Sequence, residues 1–307
     1  MTSGQRPPDI SRFISARQPA AQVDPQSLDQ LGQLVRSALQ TRRFRPPLLP
    51  EVAARLSRLV EDPDVDLATV EKTVVKDPAV AARIVAVANS AIHGARAPVT
   101  SLRSAIARLG LYRVRDVAFQ VVAMGKVFRV PAYADRMREL FEAAQVAGVL
   151  ARAVSDACGG ASEAAYLCGL LHDMGEASVL GIVADAFATR QASLPAVEFL
   201  APMIAEYHAE LGALVCSEWK LPDVVVEAVA WHHTPEQATR VGSLAPIVAA
   251  ADLLLGHIGM GTAWHPVTKA DLPVLESAGL TAERIGPLLR YAEEIAADRQ
   301  SWVMSAP

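Results

Sequence analysis

Apolar residues recur along this chain at the three-and-four spacing of a helix. Val52, Leu56, Leu59 and Val60 share one face, as do Val80, Ile84 and Val87, and then Leu102, Ile106 and Leu109. Near the end, Ile285, Leu288, Leu289, Ala292 and Ile295 form a last stripe opposite Glu283, Arg284, Arg290 and Glu294. Alternating apolar and polar runs are scarce, and no Asn-Gly or Asp-Gly hairpin turn occurs. The pattern predicts an all-α fold.

Proline and glycine divide the pattern into elements. Residues 1 to about 24, with Pro7-Pro8 and Pro19, read as a flexible tail. A helix is expected from Ser27 to about Arg43, ending before Pro46-Pro47. Short helices follow to about Phe128, broken at Asp62-Pro63, Asp77-Pro78, Pro98 and Gly110. Each proline can occupy the first turn of the next helix, where a missing N–H costs nothing. Beyond Arg129-Val130-Pro131 longer helices are expected through about Ala184, then Val197 to Trp219, Pro222 to His233 and Ser243 to Gly256. The stretch from His257 to Pro273 reads as a loop before the terminal helix. There is no internal repeat.

Composition narrows the function classes. With 51% hydrophobic and 20% charged residues over 307 positions, the chain can bury a substantial core. Aromatics are only 5%, so close packing of Ala, Val and Leu side chains fits helices better than a sandwich. The net charge of −4 gives no general pull toward nucleic acid or anionic lipid. Arg42-Arg43-Phe44-Arg45 reads as a solvated helix end. Cys158, Cys168 and Cys216 form no close pair and read as reduced, buried thiols. No secretory leader is visible, and no apolar run reaches the ~18 residues of a membrane span. The expectation is a soluble, cytoplasmic protein without a membrane or nucleic-acid partner.

One local motif carries chemistry: Gly169-Leu170-Leu171-His172-Asp173-Met174-Gly175. An adjacent His-Asp pair at the end of an apolar helix can present an imidazole nitrogen and a carboxylate to one metal ion. The flanking glycines permit tight packing and a sharp exit from the helix. Downstream stand His208, His232-His233 and Asp252, on or beside apolar helix faces where unpaired charge is costly. Taken singly, each reads more readily as a satisfied, half-buried polar side chain; taken together they favour a shared site for one or two divalent ions. No phosphate-binding glycine loop, Gly-x-Ser-x-Gly elbow or Cys-x-x-Cys pair is present. His93, His257 and His265 fall in expected loops, and Trp219 and Trp231 are expected in the core.

The order of these residues resembles the HD-domain phosphohydrolases. Glu206-Tyr207-His208-Ala209-Glu210-Leu211-Gly212, Trp219-Lys220-Leu221-Pro222 and Ala230-Trp231-His232-His233 are similar to its HD-GYP and HDOD branch. The N-terminal half separates the two. Leu48-Leu49-Pro50, Asp62-Pro63-Asp64, Lys76-Asp77-Pro78-Ala79-Val80-Ala81-Ala82-Arg83, Ala88-Asn89-Ser90-Ala91 and Leu109-Gly110 follow the HDOD pattern. The resemblance covers about Leu48 to Asp252, some two thirds of the chain. It implies a helical bundle of HD-domain type with an additional N-terminal HDOD-specific helical subdomain. The expected divisions are 25–130 for that subdomain, 131–256 for the HD-like part, and 257–307 for the loop and C-terminal helix.

Departures from a working HD enzyme shape the functional expectation. In the register Phe141-Glu142-Ala143-Ala144-Gln145, Ala143 stands where the family's first histidine ligand belongs. Thr234-Pro235-Glu236 follows His232-His233 in place of a Gly-Tyr-Pro triplet, and Glu176 replaces the lysine usual in HD-GYP enzymes, exchanging a phosphate-attracting cation for an anion. The resemblance therefore implies a non-catalytic module of bacterial signal transduction, with no catalytic and no cofactor-binding residue. It acts by contact with an unidentified signalling protein, through the seam between its halves or the terminal helix. His172, Asp173, His208, His232, His233 and Asp252 are left as a residual site for a divalent metal (Fe, Mn, Mg or Zn). The alternative is a metal-dependent phosphohydrolase acting on a nucleotide or phosphodiester through the same six residues. Oligomeric state is left open.

Overall fold

The computed structural model of the chain describes residues 25–40, 44, 46–89, 98–122, 129–160, 163–190, 192–261 and 267–297. The expected tail, the basic run apart from Phe44, Ser90-Ala91, His93 and His265 lie outside them. Every regular element among the described residues is helical.

Local chemistry starts the short helices where the prolines and acids suggest. In α3 (Leu67–Val74) the Asp66 carboxylate accepts from Thr69 N at 2.6 Å. In α4 (Pro78–Ala88) Asp77 accepts from Ala79 N at 3.0 Å and Val80 N at 3.2 Å, with Pro78 in the first turn. Asn89 ends α4 and ties the chain back ten residues later, donating to Val99 O at 2.9 Å and accepting from Val99 N at 2.7 Å. The HDOD-like Asp-Pro and Asn positions are thus architectural. With α2 (Glu51–Leu59), α5 (Leu102–Leu109) and α6 (Leu111–Val122), these helices pack into one group. Gly110, at φ +77°, makes the bend between α5 and α6 that a side chain would strain.

The second group is built on α7 (Ala134–Ala157), which packs against α8 (Ala165–Leu171), α12 (Ala245–His257) and α14 (Ala282–Ala297). Helices α9 (Met174–Arg190), α10 (Val197–Glu218) and α11 (Asp223–Trp231) complete it. α1 (Pro25–Gln40) lies against α9 and α10, where Arg36 donates to Tyr207 Oη at 3.0 Å, so the N-terminal helix packs on the HD-like helices. The two groups share one apolar core, with the ring centroids of Phe119 on α6 and Trp219 6.4 Å apart, and also meet along polar contacts. Asp116 on α6 receives Arg115 at 2.7 Å and Arg152 of α7 at 2.6 Å, and the Trp219 indole donates to Pro47 O at 2.7 Å.

The structure departs from expectation in several places. The stretch read as a loop holds a 3₁₀ turn at Lys269–Asp271 and a short helix, α13 (Leu272–Ser277), with Pro273 in its first turn. His257 ends α12 and its Nδ1 accepts from Val267 N at 3.2 Å. Trp231 is exposed, not core, and Trp219 is half-buried. Ala165–Arg190, across α8 and α9, is apolar and long enough to span a bilayer, but 78% of that window is buried in the bundle. It reads as core. The terminal stripe Ile285, Leu288, Ala292 and Ile295 is buried against α7 and α12.

Candidate metal centre

The His-Asp pair occupies the turn between α8 and α9, and close backbone contact fixes that turn. A Cβ on Gly169 would stand 2.5 Å from Ala147 O on α7, and one on Gly175 would run into the His208 carbonyl and stand 2.6 Å from Gly212 N on α10. Both glycines keep ordinary helical backbone, so what they supply is close approach, not the sharp exit expected of them. Gly175 in this way brings α9 against the stretch of α10 that carries His208.

All six predicted side chains meet. The ligand atoms of Asp173, His208, His232 and His233 lie within 4.8 Å of one another, as do those of His172, Asp173 and Asp252, so Asp173 belongs to both sets. Asp173 Oδ1 is 3.4 Å from His208 Nε2 and 3.6 Å from His232 Nε2, and its Oδ2 is 3.3 Å from His172 Nε2. His172 Nε2 is 3.5 Å from Asp252 Oδ1.

The backbone fixes how the rings face. Nδ1 of His172, His208 and His232 contacts the carbonyls of Gly169, Ile204 and Val229 at 2.8, 2.7 and 2.8 Å. A carbonyl only accepts, so each Nδ1 carries a proton; Nε2 of His208 and His232 then turns a lone pair inward, and that of His172, where Asp173 and Asp252 favour a second proton, would do so once a bound ion displaced it. His208 Nε2 and His232 Nε2 then face each other at 3.3 Å as two acceptors. Nε2 of His172, only 1% exposed, has no hydrogen-bond partner. Converging lone pairs, an orphaned buried nitrogen and a shared carboxylate suit a cation, and carbonyl-held imidazoles are the usual outer support of a metal ligand.

Electrostatics agree. Burial alone would raise the Asp173 carboxyl, but His172, His232 and His208 outweigh it and hold it well below the usual carboxylate range. Burial opposes a proton on His172, yet Asp173 and Asp252 outweigh it and hold that imidazole well above its usual value. His208 is lowered, chiefly by burial. His233 is pushed down to about 4 by desolvation on its inner side and by His232 and His208, although the residue as a whole remains exposed.

A cleft of about 620 Å³ opens onto the cluster, lined among others by Asp173, His208, His233 and Asp252. Ala143 is buried on α7 and has no ligand atom to offer. Glu176 is not the free anion the sequence suggests: Arg136 grips it through two nitrogens, with Nη2 at 2.8 Å, and reaches Glu139 at 3.4 Å. Arg136 and Glu139 line the cleft with Asp135 and Glu198, and sequence reasoning missed all four. Helix spacing held the signal for two of them, since Glu139 and Arg136 precede Ala143 by four and seven residues, one face of a helix.

Comparisons with known proteins agree with this architecture. A structure from Geobacter sulfurreducens, described as an HDOD domain protein of unknown function, superposes with TM-score 0.67 at 20% identity, covering 89% of this chain and 98% of that one. A candidate metal-dependent phosphohydrolase from Shewanella amazonensis superposes with TM-score 0.69 at 24% identity, covering 89% and 99%. In sequence, an uncharacterised protein of Treponema pallidum is 25% identical over 235 residues, 74% of this chain and 45% of that protein. Ribonuclease Y of Campylobacter concisus is 30% identical over 201 residues, 64% of this chain and 30% of that protein. The chain thus spans less than half the length of these two relatives. The model of the HDOD domain matches residues 47–235, well over half of the chain, and this chain belongs to the HDOD domain family.

Proposed function

We propose that this chain is a regulatory module of bacterial, cytoplasmic signal transduction that holds a divalent metal ion and works by protein contact without hydrolysing a phosphodiester. The observation that carries the reading is a contrast within one cleft. The donor atoms converge, yet apart from the ions they would hold, the cleft offers no uncommitted cation to grip a phosphate. Arg136 is the one Lys or Arg lining the cleft among its described residues, and it is occupied by Glu176 and Glu139. Asp135 and Glu198 add further negative charge, which repels an anionic substrate.

Asp173, His208, His232 and His233 would hold one ion, and His172, Asp173 and Asp252 a second. The mix of imidazole and carboxylate favours Fe, Mn or Zn over Mg, which prefers oxygen ligands alone. A bound divalent ion supplies Lewis acidity and an acidified water. The protein's own part is to fix three imidazoles by their carbonyl contacts and to keep Asp173 ionised between them. Since the apolar stripe of α14 is occupied by its own bundle, the contact surface for a partner protein is sought on the seam between the helix groups.

A second reading, a metal-dependent phosphohydrolase, draws on the complete four-donor set around His208 and on the ribonuclease Y and Shewanella relatives. Metal analysis of protein purified without added ions tests the proposal. Stoichiometric metal in the wild type that is absent from Asp173→Asn is expected. Wild-type protein that carries no ion and binds none on addition of Mn²⁺, Fe²⁺ or Zn²⁺ contradicts it.

A further inference from the structure

Away from the metal cluster, the seam between α6 and α7 gathers more positive charge than it balances. Arg83, Arg115 and Arg152 are largely buried there, Arg113 is half-buried, and Asp116 is the one buried carboxylate among them. Asp116 is taken by Arg115 and Arg152. Arg113 and Arg152 both stand over the ring of Tyr166, at 5.5 and 5.1 Å from its centroid. Arg83 lies near Tyr166, is 6% exposed, and leaves Nη1 without a partner. No carboxylate among the described residues pairs with Arg113. Its surroundings are unfavourable in three ways: it is partly desolvated, it is close to Arg152, and it sits in the first turn of α6, the positive end of that helix.

Of these residues, Arg113 and Arg152 line a cleft of about 350 Å³, with Tyr112, Asp156 and Glu163, beside the Gly110 bend. The first amides of α6 have no partner within the helix. We propose that this cleft binds the phosphate group of a small anion at the Arg113 guanidinium, with Arg152, one of whose nitrogens already holds Asp116 at 2.6 Å, lending its remaining N–H groups. A bound phosphate removes each of the three costs, and forked guanidinium N–H groups match its oxygens. Asp156 and Glu163, exposed on the rim and paired with neither arginine, repel the phosphate from that edge toward Arg113 and can accept from sugar hydroxyls, so a nucleotide suits the cleft better than inorganic phosphate. The cleft lies at the start of α8, the helix that ends in His172-Asp173, so its occupant would bear on the metal cluster through one rigid element.

Thermal unfolding of the full chain in chloride buffer, with inorganic phosphate, 5′-AMP or adenosine added at matched ionic strength, tests the proposal. Phosphate or AMP should raise Tm by several degrees and adenosine should not, with the larger of the two shifts identifying the source of the phosphate. Arg113→Gln should abolish the shift, while its Tm without anion should be no lower than that of the wild type, since an unsatisfied cation has been removed. Arg113→Lys should retain a reduced shift. The proposal is overturned if neither anion shifts Tm beyond chloride, if Arg113→Gln keeps the full shift, or if that variant is destabilised or unfolded without any anion.

Discussion

Asp173 sends one oxygen toward His208 and His232 and the other toward His172, so both donor sets fail together if its charge is lost. Asp252 serves only the second set. After dialysis against metal-free buffer, Asp252→Asn should keep the ion held by Asp173, His208, His232 and His233. Asp173→Asn should weaken binding by more than the roughly 10–100-fold that the loss of an outer-shell partner costs. Equal metal content in the two variants would refute the shared role. The adjacency of His172 and Asp173 was legible in the sequence because one turn carries both. The Arg136–Glu176 pair was not, because forty residues separate its members and only the packing of α7 on α9 joins them.

Protonation adds a second expectation at this scale. His233 is held at about 4 in the folded chain, below the ordinary histidine value of about 6.5. The unfolded chain therefore takes up that proton first, and stability falls as pH drops from about 6.5 toward 4. His172, raised by its carboxylates, acts in the opposite sense: its contribution is full below the ordinary value and is lost as pH rises through the folded one. In the presence of EDTA, His233→Gln should flatten the acid side of a Tm-against-pH curve. An unchanged slope would show that crowding among the imidazoles does not set His233.

Among the elements, α14 illustrates how far an apolar stripe can be read. The 3.6-residue period gave its face correctly, but period alone does not say whether the face meets its own bundle or a partner. The structure answers with Ile285, Leu288, Ala292 and Ile295 against α7 and α12. Leu288→Ala should cost about 2–4 kcal/mol, and truncation after Thr281 should abolish cooperative unfolding by circular dichroism. A truncated chain that unfolds as sharply as the full one would contradict this. α13 escaped sequence reading because six residues hold less than two turns, too few for a period to show. The hinge glycines of the His-Asp turn were legible as residues but not in role. That role depends on α7 and α10, which the spacing does not place.

For the whole molecule, helix class and the succession of motifs were written in the chain, whereas the joint between the two groups was not. Its polar contacts link residues far apart in sequence, such as Asp116 with Arg152. Breaking a buried ion pair on one side strands the other charge and costs roughly 3–5 kcal/mol. Asp116→Ala leaves two arginines unpaired, so denaturant titration should show a loss of about that size, and a loss below ~1 kcal/mol would mean the seam is held by packing alone. The central claim is that the molecule keeps an assembled metal cluster but does not hydrolyse phosphodiesters. Turnover of a phosphodiester such as cyclic di-GMP, measured on Mn²⁺-loaded protein beside Asp173→Asn, tests it most directly. The account predicts no turnover above that of the variant; robust turnover in the wild type that disappears in Asp173→Asn would contradict it and establish the hydrolase.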